Sequence, residues 1–112
     1  MEKVFKKLRS ELILAILAIS YFIYFTIASF LKYDNYYTGR FDLGNMAQTV
    51  WNTIHGRIFL LTDPNGTEEI SRLAFHADFI LILLSPLYLI WEDPRMLLLV
   101  QTLVLSFGGV FV

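Results

Sequence analysis

The side chains best equipped for chemistry in this sequence are Asp42, Arg40, His55, Arg57, His76 and Asp78. Asp42 opens the string DLGNMAQTVWNTIHG. Its plain role is a helix N-cap, worth about 1 kcal/mol. Its chemical role is either a metal-binding carboxylate or a general base that takes the proton of an acceptor hydroxyl during group transfer. His55 and Arg57 flank Gly56. As structural groups they place positive charge at a helix C-terminus, where the dipole favours it. As functional groups they suit phosphate binding or proton transfer, because the guanidinium donates two parallel bonds. Arg40, just ahead of Asp42, is a further phosphate candidate. His76 and Asp78 are two positions apart and do not share a helix face, whereas Arg72 and His76 do. Asp78 and His76, joined by Asp42, would offer a divalent cation oxygen ligands and one imidazole, a set that suits Mg or Mn. No local metal motif such as HExxH accompanies them.

These groups need elements to hold them. From Leu43 the apolar residues Met46, Ala47, Val50, Trp51 and Ile54 follow helical spacing. That predicts a helix over about 42–55, capped by Asp42 and closed by Gly56. Its apolar stripe would rest on a membrane surface or on neighbouring helices. Asp63-Pro64-Asn65-Gly66 reads as a turn, and Asn65-Gly66-Thr67 matches a glycosylation sequon. Three tyrosines between Tyr33 and Tyr37 suit a headgroup layer, and Asp34 has Lys32 or Arg40 as an ion-pair partner.

Around this loop lie three hydrophobic blocks. Of the 112 residues, 56% are hydrophobic and 17% charged, against about 45–50% and 25% in an ordinary soluble domain. Leu12 to Leu31 holds no charge and is long enough, at about 30 Å, to cross a bilayer. The basic leader before it also fits a signal peptide, but the run is long for one and lacks a small-residue cleavage site. The second block, 76–91, has a short uncharged part and contains Pro86. The third, 96–112, follows the tight turn Glu92-Asp93-Pro94-Arg95. It ends without interfacial anchors, so the sequence reads as the front of a longer chain with its third helix truncated. The expected fold is therefore all-α: polytopic transmembrane helices with an amphipathic helix in the first external loop. Residues 1–11 form a cytoplasmic leader, 12–31 the first span, 32–75 the loop, 76–91 the second span, 92–95 a cytoplasmic turn and 96–112 the third span. Lys3, Lys6, Lys7 and Arg9 put the N-terminus of this multi-pass cell-membrane protein in the cytoplasm.

A net charge of −1 leaves no basic stripe for nucleic acid. The absence of cysteine removes disulfides, thiolate metal sites and cysteine nucleophiles.

FDLGNMAQTVWNTIHGR and HADFILILLSPLYLIWEDPRMLLLVQTLVLSFGG resemble the DUF2079 family of predicted multi-pass membrane proteins. The matching features are Asp42-Leu43-Gly44, Trp51-Asn52-Thr53 with His55-Gly56, His76 with Phe79, and Pro86-Leu87-Tyr88. Members look like glycosyltransferases of the GT-C architecture, which take sugars from polyprenyl-phosphate carriers. The resemblance implies that Asp42 is the catalytic acidic residue. It also implies that Arg57 or His76 meets phosphate or metal, and that membrane lipids and a polyprenyl-phosphate sugar are partners. The family often has a second acidic residue about four positions on, where this chain has Met46; Asp78 would compensate. The alternative expectation is a non-enzymatic membrane assembly subunit or a degenerate remnant. In either case, the remainder of a longer chain or other membrane helices would complete the structure.

Overall fold

In the computed structural model residues 1–111 are described, Arg40 and Phe41 by their backbone alone. The chain divides into two compact units, one of residues 1–31 with the segment from Leu98 onward, the other of residues 32–97.

In the first unit the dominant element is helix α1, Glu2–Asp34, most of which lies here. It runs 33 residues without a break, about 50 Å. No residue of it is buried, and its best stretch has a mean hydropathy of 2.2. An apolar helix with most of its surface uncovered needs lipid or other apolar surface around it. Its partner here is the body of helix α4, Arg95–Gly108, which carries the third block; the expected end of that block at Val112 lies outside the described residues. Thr26 and Thr102 join the two helices through their hydroxyls at 2.9 Å. Gln101, the polar residue that hydropathy singles out, is exposed. Thr102 and Ser106 are the buried ones, and each also donates to a carbonyl of its own helix.

The second unit holds every residue singled out for chemistry. A five-residue π-helical turn, Arg40–Gly44, leads into helix α2, Asn45–Ile54. Strands β1, Leu60–Thr62, and β2, Glu69–Ser71, pair antiparallel with Leu61 opposite Ile70. A single 3-10 turn, Arg72–Ala74, follows. Helix α3, Ile80–Leu84, passes directly into a 3-10 turn over Ser85–Leu89. Val50, Leu61, Phe59, Leu81 and Tyr88 form the core where α2 meets the hairpin and the α3 segment.

The expected all-α polytopic bundle is not what forms. The loop contains a hairpin. Among the described residues only α1 is long and apolar enough to cross a membrane. The second block is helical only over Ile80–Leu89, roughly 15–20 Å even at 3-10 rise and so short of the ~30 Å hydrocarbon core. Pro86 explains the break. It has no N–H to give, and Ser85 turns its hydroxyl back onto the Ile82 carbonyl at 2.7 Å. The third block gives 14 helical residues, about 21 Å. The multi-pass cell-membrane topology with a cytoplasmic N-terminus is corrected accordingly: α1 is the one candidate span among the described residues.

Local chemistry explains the hairpin. Asp63 accepts from the Thr67 and Glu68 amides at 2.6 and 3.0 Å and from the Asn65 amide at 3.2 Å. The Glu68 amide, with those of Thr67 and Asn65, holds the Asp63 carboxyl below the usual aspartate value. Gly66 closes the turn at φ +77°. Phe59 also lies in the left-handed region, at φ 59°. Its ring is buried and its carbonyl accepts from the Arg72 amide at 2.7 Å, extending the pairing of β1 with β2.

The Tyr88 hydroxyl is buried and finds no hydrogen-bond partner among the described residues. Burial raises its pKa well above the ordinary 10.0, and the nearby Asp93 and Tyr33 add to this. An acid whose folded pKa is raised keeps its proton in the folded state. Its ionisation leaves stability unaffected below pH 10.0; above that the unfolded chain ionises while the folded one does not, and stability falls as the pH climbs. Tyr88→Phe should therefore withstand alkali better than the parent. It should also gain about 1 kcal/mol at neutral pH by removing an unmade hydrogen bond. Urea melts at neutral and alkaline pH measure both effects.

Candidate functional site

Asp42 sits mid-way along the π-helical turn rather than at the cap it was expected to supply. Gly44 holds the N-cap position of α2, with no side-chain cap. A π turn inside a helix is uncommon and often marks a functional position. Here it leaves the Asp42 carboxylate exposed. The carboxylate faces a cleft of about 290 Å³ lined by Asp42, Asn45, Leu61, Pro64, Arg72, Phe75 and His76. His76 reaches the cleft from the segment after β2, where its amide donates to the Arg72 carbonyl at 3.1 Å. Two residues distant in sequence, Asp42 and His76, thus share one surface.

Arg72 forms the floor of this cleft. Its side chain is only 6% exposed. Nε and Nη2 both donate to Asp78 Oδ2, at 3.0 and 2.6 Å. This occupies the carboxylate that was expected to join His76 on a metal. Among the described residues no three His, Asp or Glu side chains gather as a cation site. With Asp78 Oδ2 held by Arg72, the described residues do not make the donor set for Mg or Mn.

His55 and Arg57 stand at the other end of α2, a helix of 10 residues and so about 15 Å away from the Asp42 turn. The His55 ring stacks on Trp51 at 3.9 Å, and its Nδ1 lies 2.8 Å from the Trp51 carbonyl. Arg57 donates Nη1 to Glu69 at 2.6 Å and Nη2 to Asn52 at 2.5 Å, and its guanidinium lies over Trp51. These contacts fasten the C-terminus of α2 to β2, and the structure does not bring either residue to the cleft. The side chain of Arg40 lies outside the described residues. Asp34 pairs with Arg95 at 2.8 Å; its expected pairing with Arg40 lies outside the described residues, and no pairing with Lys32 is seen among them.

Sequence reasoning missed Asn52 and Gln48. Asn52 is buried, donates to the Leu60 carbonyl at 2.8 Å and accepts from Arg57. Gln48 donates to the Thr62 hydroxyl at 2.7 Å and accepts from the Thr62 amide at 3.2 Å. The polar side of α2 therefore grips the hairpin, while Met46 and Trp51 of the apolar stripe remain exposed. The signal was available in principle: amides on a helix with no charged residue among them are suited to burial against unpaired backbone.

A family model described as a predicted membrane protein, DUF2079, matches residues 32–112. The chain belongs to the DUF2079 family. The match takes in both faces of the cleft and gives this DUF2079 chain a membrane context. The likeness to multi-pass glycosyltransferases does not carry over to the architecture, because α1 is the one candidate span among the described residues. No curated protein and no solved structure matches the chain.

Proposed function

We propose that this DUF2079 chain takes part in sugar transfer from a polyprenyl-phosphate donor to an acceptor hydroxyl, with Asp42 as the general base. The reading is supported chiefly by one observation: the exposed Asp42 carboxylate and His76 line the same cleft over a buried arginine. In this chemistry the acceptor oxygen attacks the anomeric carbon. The bond from that carbon to the phosphate oxygen breaks, and its electron pair leaves with the phosphate. Asp42 takes the acceptor proton, and His76, at the edge of the cleft, donates a hydrogen bond to the departing phosphate. Asp78 is held by Arg72, so a single carboxylate serves as base; Met46, in the first turn of α2, supplies no second one.

The test uses the full-length protein in detergent with a radiolabelled polyprenyl-phosphate sugar and a hydroxyl acceptor. Asp42→Asn should lower transfer by about 100-fold or more, with an unchanged circular dichroism spectrum. A correctly folded Asp42→Asn protein that transfers at the parental rate rules the reading out.

A further inference from the structure

The charges around the cleft bear on which part of a ligand it takes. Asp42 lines it, and Arg72 on its floor is joined to Asp78. Among the described side chains, two carboxylates stand against one guanidinium, histidine being counted neutral as in the formal charge. A phosphate placed there would meet like charge, which opposes binding. Hydrogen-bond inventory gives the same answer. A phosphodiester only accepts, so it can satisfy Arg72 but offers nothing to the Asp42 carboxylate. A hydroxyl both donates and accepts. A ring with several hydroxyls can therefore give to Asp42 and take from Arg72 at once. Arg72 is prepared for this: Asp78 fixes its plane through two of the five guanidinium N–H groups, leaving three for other acceptors.

Apart from Asn45 and His76, the rest of the lining is apolar. Leu61 and Pro64 contribute, and Phe75 is 52% exposed. A sugar ring carries C–H groups on one face and hydroxyls around its edge, matching one apolar wall and one polar wall. The volume, about 290 Å³, lies at the small end of the roughly 300–1,000 Å³ typical of small-molecule sites. It has room for one sugar ring.

We infer that the cleft between the Asp42 turn and the Arg72–His76 segment binds a single neutral monosaccharide ring, with Phe75 against its apolar face, and that phosphate stays outside it. This rests on the sugar-transfer reading and narrows it, since His76 then meets phosphate from the rim.

The experiment is an NMR titration of the isotope-labelled full-length protein in detergent. Glucose, mannose, galactose and N-acetylglucosamine are added in separate runs, and inorganic phosphate in another. The backbone amides of Asn45, Phe75 and His76 are followed. At least one sugar should shift them saturably, with a Kd in about the millimolar range, and phosphate should not. Phe75→Ala should weaken that sugar at least tenfold, and Phe75→Trp should keep it. Phosphate binding without sugar binding overturns the inference. So does no binding by any of the four sugars, or sugar binding that Phe75→Ala leaves unchanged. The two readings fail separately. Sugar binding with full transfer by Asp42→Asn removes the general base and keeps the cleft. Phosphate binding alone, with transfer still dependent on Asp42, does the reverse.

Discussion

Replacing Asp78 with asparagine should destabilise the second unit by about 3 kcal/mol, whereas Arg72→Met should cost only about 1 kcal/mol. The asymmetry follows from burial. The Arg72 side chain is 6% exposed and that of Asp78 33%. Without its carboxylate, the guanidinium is left as an uncompensated charge in the interior, the costly outcome. Without its arginine, Asp78 can still turn to water. The value for Asp78→Asn sits at the low end of the range for a broken buried pair, because that carboxylate is already partly hydrated. The double variant Arg72→Met/Asp78→Leu should recover most of the loss, since apolar groups of similar size often replace a buried pair without penalty. Denaturant melts of the four proteins in detergent compare these costs. Equal costs for the two single variants would mean that the pair is hydrated in solution.

Asn52→Ala is expected to cost about 2–4 kcal/mol, through two groups that lose their partner. The Leu60 carbonyl loses the Asn52 amide, and Arg57 loses the acceptor that complements Glu69. The Asn52 backbone carbonyl, which accepts from the Arg57 amide at 2.9 Å, is unaffected, so the turn after α2 should persist. The loss should therefore be concentrated in the hairpin. Amide exchange at Leu60 to Thr62 should accelerate more than exchange within α2 itself. Uniform acceleration throughout the unit would assign the energy to global packing rather than to this link. Asn52→Asp, which keeps an acceptor for Arg57 but has no donor for Leu60, should fall between the parent and the alanine variant.

What the sequence made legible was local. The uncharged run from Leu12 to Leu31 marks α1 because composition and length alone decide it. The turn at Asp63–Gly66 was legible because proline, asparagine and glycine each constrain their own backbone. The second and third apolar blocks misled because hydropathy measures composition and not continuity. Pro86 and the Asp93 cap, whose carboxylate accepts from the Arg95 amide at 2.8 Å, divide them into pieces too short to span. The hairpin was invisible because each strand has only three residues, too few for an alternating pattern to register. With no hairpin in view, the polar side of α2 was given no partner. The cleft had the same limit. Asp42, Arg72 and His76 could each be named from residue type, but their meeting depends on β2 returning beside β1, a contact no local window contains.

Phe59 shows how the hairpin settles a conflict between backbone and side chain. A left-handed conformation in a residue with a Cβ costs roughly 1–2 kcal/mol, and turn chemistry alone would put glycine there. Sheltering an aromatic ring from water is worth about 1.5–3 kcal/mol, and this ring also meets Phe79 edge-on at 6.2 Å. Shelter for the ring outweighs the backbone cost, so the kink before β1 is sprung by its own side chain. A glycine chosen to relax it would loosen the floor beneath Arg72, because the Phe59 carbonyl that receives the Arg72 amide is aimed by that same kink.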